Sequence, residues 1–296
     1  MSQEKVLLIV NPAAGKMRSK TALFTLVDTF CRNGYQVTVQ TTGGRGDARE
    51  AAMTMTEGQD LVVCCGGDGT LNEVIDGLLQ SGRSIPLGYV PAGSTNDFAN
   101  SLHLSSRPDV ATRAIVEGEA RGVDIGLFNN SRHFAYIASF GAFTAASYSA
   151  PQATKNALGH FAYILEGIKE LSALQSYRIR VETDQRVFED EFLFGAVCNS
   201  TSVAGLVKLD EGLVDMSDGL FEIVLVRQPK VAGDLSKILL ALNTGDFNND
   251  MFEFFKTSHI TFRMKTPMPW SLDGEFEEGA PVVTVENLPQ ALLLKR

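Results

Sequence analysis

The segment from Leu61 to Glu73 constrains the fold more than any other. It opens with an unbroken apolar run, Leu61-Val62-Val63-Cys64-Cys65, and continues as Gly66-Gly67-Asp68-Gly69-Thr70. Leu71, Val74, Ile75, Leu78 and Leu79 then recur at the spacing of one helical face. A run of strand length without alternation needs cover on both faces, and a parallel sheet between helices provides it. Glycines permit a tight turn with positive φ, and the helix start offers unpaired amides. The segment therefore predicts a strand, a backbone-lined loop and a helix, the repeating unit of an α/β layer fold.

The same rhythm runs through the first part of the chain. Lys5–Val10 is a short apolar run stopped by Asn11-Pro12, followed by Ala22, Leu23, Leu26, Val27 and Phe30 at helical spacing. Tyr35–Gln40 alternates as a strand before a turn-rich stretch and a helix from Asp47 to about Met55. Pro86–Val90 is a further strand, with a helix opening near Asn96. After Arg121 the pattern changes. Val123–Phe128 and Phe134–Phe140 flank Asn129-Asn130-Ser131 as a hairpin, and strand-like runs follow at Tyr177–Thr183, Glu191–Asn199, Leu220–Val226, Ser258–Met264 and Pro281–Glu286. Helical patterns interrupt them around Phe161–Leu171 and Leu235–Leu242. The expected fold is α/β, with an N-terminal parallel-sheet domain over residues 1–122. Residues 123–296 form a C-terminal, mostly antiparallel β-sandwich-like domain, with the last residues candidates to return to the first domain.

Charge and composition remove several function classes. The 296 residues carry a formal charge of −9 with no basic block, so nucleic acid is not an expected partner. The apolar stretch Val6–Val10 is too short for a signal-peptide core, and no run reaches the length of a membrane span. The charge-poor stretch His133–Thr154, rich in small residues and broken by Pro151, suits a buried strand and a pocket wall. Cys31, Cys64, Cys65 and Cys198 make no CxxC pair, which argues against zinc and disulfide frameworks and for a reduced, cytoplasmic setting.

The glycine loop before a helix is suited to phosphate, because helix-start amides and the helix dipole favour anions. Asp68 sharpens this reading, since a carboxylate among phosphate donors repels the ligand unless a divalent cation such as Mg2+ lies between them. The loop is not GxxxxGK[ST], it lacks the last glycine of GxGxxG, and no HRD or DFG set is present. Two further loops follow predicted strands, Asn11-Pro12-Ala13-Ala14-Gly15-Lys16 and Pro91-Ala92-Gly93-Ser94-Thr95-Asn96-Asp97-Phe98-Ala99. Each alone reads equally as a turn with a helix cap. Three such loops at one sheet edge point to a common nucleotide site.

With these three motifs the chain resembles the diacylglycerol kinase catalytic family, most closely its soluble bacterial branch. The glycine-rich string is shared with NAD kinases and phosphofructokinases, and the Asn11-Pro12 and Pro91–Ala99 motifs favour the lipid kinases. The resemblance spans essentially the whole chain. It implies transfer of the γ-phosphoryl group of ATP to a lipid hydroxyl, diacylglycerol first, across a cleft between the domains. The implied nucleotide contacts are Asn11, Gly15, Thr42, Gly66, Gly67, Asp68, Gly69, Thr70, Leu71, Asn72, Ser94, Asn96 and Asp97. Ser94 stands where the family pattern has threonine and keeps the hydroxyl.

Read alone, Ser271-Leu272-Asp273-Gly274-Glu275 is a hairpin turn with Glu275 exposed. By resemblance, Glu275 is the general base and Asp68 its catalytic partner. Leu209–Leu220 is on its own terms a solvated acidic loop. The resemblance assigns it a structural Mg2+ held by Asp215, Asp218 and the Leu220 carbonyl. His103, His133, His160 and His259 lack metal-ligand spacing. Rival readings are a sphingoid-base kinase, an NAD kinase, and a nucleotide-binding regulator without activity. The implied partners are ATP and a lipid at the membrane surface, with peripheral membrane association. An acidic chain is not drawn to anionic bilayers, though Lys155, Lys169 and Arg178–Arg180 offer a basic patch. Oligomeric state is open, a homodimer included.

Overall fold

The computed structural model describes residues 3–141, 175–203, 207–208, 212 and 214–296, leaving out the side chains of residues 16–21, 202–203, 207–208 and 243. The chain divides into two compact units, Met1–Ile125 with Pro289–Arg296, and Gly126–Leu288.

The first unit begins with β1 (Lys5–Val10), a 3₁₀ turn (Ala14–Met17), α1 (Arg18–Arg32), β2 (Gln36–Thr41) and α2 (Asp47–Thr54). It continues with β3 (Leu61–Gly66), α3 (Asp68–Gln80), β4 (Leu87–Pro91), α4 (Asp97–Ser101) and α5 (Pro108–Glu117), and β5 (Ala120–Phe128) leads out of it. The strands pair in parallel in the order β4-β3-β1-β2. All six residues of β3, and Val6–Val10 of β1, are buried, which is why both read as unbroken apolar runs. Burying the five side chains from Val6 to Val10 contributes on the order of 10 kcal/mol, comparable to the net stability of a whole domain. Loops hung from the ends of such strands inherit a fixed origin. Leu71, Val74, Ile75 and Leu78 form the buried face of α3. The unit's core gathers Val6, Leu8, Leu26, Phe30, Val63 and Ile115. From β1 the chain goes to β2 on one side and to β3 on the other, so a topological switch point lies at the carboxyl ends of β1 and β3.

The second unit is antiparallel. Its strands are β6 (Arg132–Phe134), β7 (Ile137–Gly141), β8 (Tyr177–Glu182), β9 (Val187–Cys198), β10 (Ser202–Val203) and β11 (Val207–Lys208). There follow β12 (Phe221–Arg227), α6 (Ala232–Thr244), β13 (Phe252–Thr257), β14 (His259–Met264), β15 (Trp270–Leu272), β16 (Glu275–Glu277) and β17 (Val282–Lys295). The long strand β9 changes partners along its length within one sheet. Val187–Phe192 pairs with β8, and Phe194–Cys198 pairs with β7 and β12. β8 in turn pairs with β14, and β14 with the first part of β17. Between the layers Phe128, Phe140, Phe262 and Trp270 meet largely edge to face, with ring centroids 4.9–5.7 Å apart. This is the β-sandwich-like architecture expected from the strand-rich second part.

Three local differences from the sequence reading have physical causes. Phe134–Phe140 is not one strand: β6 pairs with β5 across the Asn129-Asn130 turn, and β7 pairs with β9 and β15. β17 continues beyond Pro289, Gln290 taking a positive φ of 50° before the strand resumes. β13 and α5 are additional elements. The helical pattern around Phe161–Leu171 and most of the stretch His133–Thr154 lie outside the described residues. No described helix is long and apolar enough to cross a membrane.

Candidate active site

The parallel registers place three loops at one edge of the first unit's sheet. Val10 pairs with both Thr41 and Cys65, and Gly66 pairs with Pro91, so the chain leaves β1, β2, β3 and β4 at a common level. Gly67, extended at φ −91° and ψ −177°, is the N-cap of α3 and offers no side-chain cap. The first amides of α3 are thus available to an anion, where the helix dipole adds to their pull.

The β3–α3 and β4–α4 loops touch backbone to backbone. A Cβ on Gly93 would lie 2.6 Å from the Gly67 Cα, and one on Gly67 would lie 3.2 Å from the Gly93 Cα. A side chain at Gly93 would therefore force the loops apart, and one at Gly67 would crowd them. Asn96, in the left-handed region at φ 52°, closes its own loop: its Oδ1 accepts from the Gly93 amide at 2.9 Å and its Nδ2 donates to the Gly93 carbonyl at 3.3 Å.

Asp68 reaches across the same junction. Its Oδ2 accepts from the Thr95 hydroxyl at 3.1 Å and from the Asp97 amide at 3.2 Å. Its Oδ1 is buried without a hydrogen-bond partner among the described residues. Burial raises the Asp68 pKa, and the Asp97 amide and Thr95 hydroxyl pull it back. A carboxylate held by one oxygen with the other buried and unmatched is a group prepared for a further positive or donor ligand.

The first loop is tied to the same helix. Asn11 Nδ2 donates to Thr70 Oγ1 at 2.9 Å, and Asn11 Oδ1 accepts from the Ala13 amide at 3.0 Å. Gly15 follows with φ 53°. Thr42 is buried just after β2, its amide donating to the Val10 carbonyl at 2.9 Å. Ser94 is exposed and Gly69 half-buried. The Leu71 side chain lies in the core and its amide donates to the Gly67 carbonyl at 3.0 Å, while Asn72 is fully buried. All these residues belong to the first unit.

Glu73 has no role that the sequence reveals, and its contacts supply one. Its carboxylate is buried on α3 and accepts from the amides of Gly46 at 2.8 Å and Ala48 at 3.2 Å. It thereby caps α2 from another helix and anchors the loop that carries Thr42. Asp47 Oδ2 holds the rest of that loop through the amides of Gly43 and Gly44, at 2.7 and 2.8 Å. Thr95 is a second such residue, through its bond to Asp68.

Glu275 lies in the second unit, at the start of β16. Asp273 (φ 50°) and Gly274 (φ 84°) form the turn between β15 and β16, as Asp-Gly predicts for a hairpin. Glu275 is half-buried, with Oε2 at 3.2 Å from Arg132 Nη2. Nothing in the sequence around Arg132 marks it as that partner, which comes from 143 residues away.

Asp215 and Asp218 occupy a turn before β12. Asp215 Oδ1 accepts from the Ser217 amide and hydroxyl, and Asp218 Oδ1 accepts from the Leu220 amide. Asp218 Oδ2 meets the Lys256 ammonium at 3.2 Å, and the same ammonium lies 2.9 Å from Glu222 Oε1. Burial lifts the Glu222 pKa to about 7 against the opposing pull of Lys256. Among the described residues no three His, Cys, Asp or Glu side chains group as a metal site.

Comparison with known proteins fits this geometry. The family pattern "Diacylglycerol kinase catalytic domain" matches residues 5–128, and "YegS C-terminal NAD kinase beta sandwich-like domain" matches residues 137–296. A diacylglycerol kinase of Staphylococcus saprophyticus is 33% identical over 281 residues, 94% of this chain and 91% of the relative. One from Bacillus subtilis is 32% identical over 91% of this chain and 89% of its own length. The crystal structure of a diacylglycerol kinase from Bacillus anthracis superposes with a TM-score of 0.76 over 100% of this chain and 97% of that one, at 22% identity, and shares the fold. By sequence and fold together, the chain belongs to the diacylglycerol kinase catalytic family.

Proposed function

We propose that this protein is an ATP-dependent lipid kinase that transfers the γ-phosphoryl group of ATP to the free hydroxyl of diacylglycerol, yielding phosphatidic acid. The observation that carries the reading is the convergence of the glycine loops on Asp68 at the sheet's switch point. Membership in a family whose named relatives are diacylglycerol kinases supports the substrate.

In this reading the amides of Gly67–Thr70 receive ATP phosphates, with Asn11, Gly15, Thr42, Ser94 and Asn96 shaping the rest of the nucleotide site. Leu71 and Asn72 act by fixing the helix that presents those amides. The buried, unmatched Asp68 Oδ1 fits a Mg2+ ion, with Asp97 beside it. When bound, the ion supplies charge neutralisation on the phosphates. Asp68 then orients the nucleotide through its rigid attachment to Thr95 and Asp97. Glu275 accepts the proton of the acceptor hydroxyl, a role needing hydrogen-bond reach of that hydroxyl. Asp215, Asp218 and the Leu220 carbonyl would hold a second, structural Mg2+. Lys256 pairs with Asp218 Oδ2 at 3.2 Å, and such an ion would compete with its ammonium for that carboxylate. The lipid is met at a membrane surface.

The test is labelled ATP offered with Mg2+ and, separately, diacylglycerol in mixed micelles, sphingosine and NAD. Label in phosphatidic acid is the expected result. Label in only sphingosine phosphate or NADP would overturn the substrate, and label in none, with ATP still bound, would overturn kinase activity.

A further inference from the structure

Three consecutive amides in the β6–β7 connection point at one carboxylate. Ala135 N–H donates to Asp273 Oδ2 at 2.6 Å, and the amides of Tyr136 and Ile137 donate to Oδ1, each at 3.0 Å. The Asp273 amide returns a bond to the Ile137 carbonyl at 2.9 Å. The side chain is 4% exposed, while its backbone, at φ 50°, has the left-handed conformation that Asp-Gly hairpin turns adopt on their own. Asn199, itself fully buried, braces the same connection by donating from Nδ2 to the Ala135 carbonyl at 3.3 Å and from its amide to the Tyr136 carbonyl at 2.9 Å.

A hairpin turn does not need this. Asp-Gly at a two-residue turn is satisfied with its side chain in water. Here a carboxylate is instead removed from water and matched by charge-assisted bonds to amides 136–138 residues away. The position of the clamp gives the reason. On one side, Glu275 lies two residues beyond Asp273. On the other, Arg132 lies three residues before Ala135, and its Nη2 meets Glu275 Oε2 at 3.2 Å. The clamp therefore fixes both ends of the Arg132–Glu275 pair relative to each other.

We infer that Asp273 is a positioning residue, which sets the place and orientation of the Glu275 carboxylate by locking the β15–β16 turn to the β6–β7 connection. The inference rests on the reading of Glu275 as general base. Its physical content is the sensitivity of proton transfer to placement: a misplacement of about 1 Å costs on the order of 10²-fold in rate.

The test is a double-mutant cycle of D273N and E275Q, with turnover, ATP KM and thermal stability measured on each protein. The amide side chain of D273N keeps Oδ1 for Tyr136 and Ile137 but turns an NH2 group toward the Ala135 amide, donor against donor. D273N alone is expected to lower kcat by about 10- to 100-fold with ATP KM within about twofold of the parent. In the E275Q background the same change is expected to cost nothing further, because the group it positions can no longer take a proton. A merely structural role would cost the same factor in both backgrounds, and that result overturns the inference while leaving Glu275 as base. Parent-like turnover of D273N overturns it as well. Parent-like turnover of E275Q removes the base assignment itself, and the inference with it. If D273N does not fold, D273E, which keeps the charge but displaces its oxygens, takes its place in the cycle.

Discussion

Glu73→Ala isolates the link between the glycine-rich helix and the loop that carries Thr42. The substitution removes two acceptors, at 2.8 Å from the Gly46 amide and 3.2 Å from the Ala48 amide, in a largely buried place. α2 has no cap of its own to fall back on, since Gly46 occupies its N-cap in the left-handed region at φ 89°. A hydrogen bond to a charged group contributes about 1.5–3 kcal/mol, and a lost cap costs about 0.5–2 kcal/mol. Part of this returns when the freed amides meet water, so the local loss is about 2–4 kcal/mol. Amide hydrogen exchange at Gly46 and Ala48 reads that quantity directly, as a fall in protection of about 30- to 1,000-fold. ATP KM should rise in the same variant more than kcat falls. Glu73→Gln should recover only part of the protection, because one side-chain oxygen can serve one amide while the NH2 opposes the other. Full protection in the glutamine variant, or a loss below about threefold in the alanine variant, would refute the capping role.

Other outcomes follow from the proposed mechanism. Asp68→Ala should abolish transfer at saturating Mg2+ while leaving the circular dichroism spectrum intact, since losing a metal- or phosphate-positioning group removes several kcal/mol of transition-state stabilisation. Glu275→Gln should lower turnover by about 10²–10⁴-fold with little change in ATP affinity by calorimetry, and equal losses in both would point to binding or folding instead. Asp218→Ala should lower the melting temperature, and excess Mg2+ should stabilise the parent more than the variant; a parent unmoved by chelator would remove the structural ion.

Elements were legible in the sequence where their cause is local. β1 and β3 are buried on both sides, so their apolar runs could hardly signal anything else, and α3 shows its buried face through spacing alone. The glycine loops were legible because their chemistry lies in a few consecutive residues. What escaped depends on partners far along the chain. Phe134–Phe140 looks like one strand until Asp273 draws the amides of Ala135, Tyr136 and Ile137 out of any ladder. β17 looks finished at Pro289, which cannot donate to a ladder, and it resumes because Gln290 bends and donates its amide to Asp124 Oδ1 at 2.8 Å. α5 buries only Ala111, Thr112 and Ile115, too thin a stripe to stand out. Glu73 and Arg132 reveal their roles only through contacts 25–27 and 143 residues distant.

The return of β17 bears on how the protein is made. Residues Pro289–Arg296 complete the first unit, where Leu294 pairs in parallel with Leu87 of β4 and the Arg296 amide donates to the Glu119 carbonyl at 3.2 Å. On the ribosome this last piece emerges about 160 residues after the rest of that unit, roughly 10–30 s later at ordinary elongation rates. Throughout that interval β4 is an outer strand with unsatisfied backbone groups, and Leu87 and Val90 belong to a core not yet sealed. Open edges of this kind recruit other chains. Nascent chains stalled before Pro289 should therefore depend on chaperones in a way that released full-length protein does not.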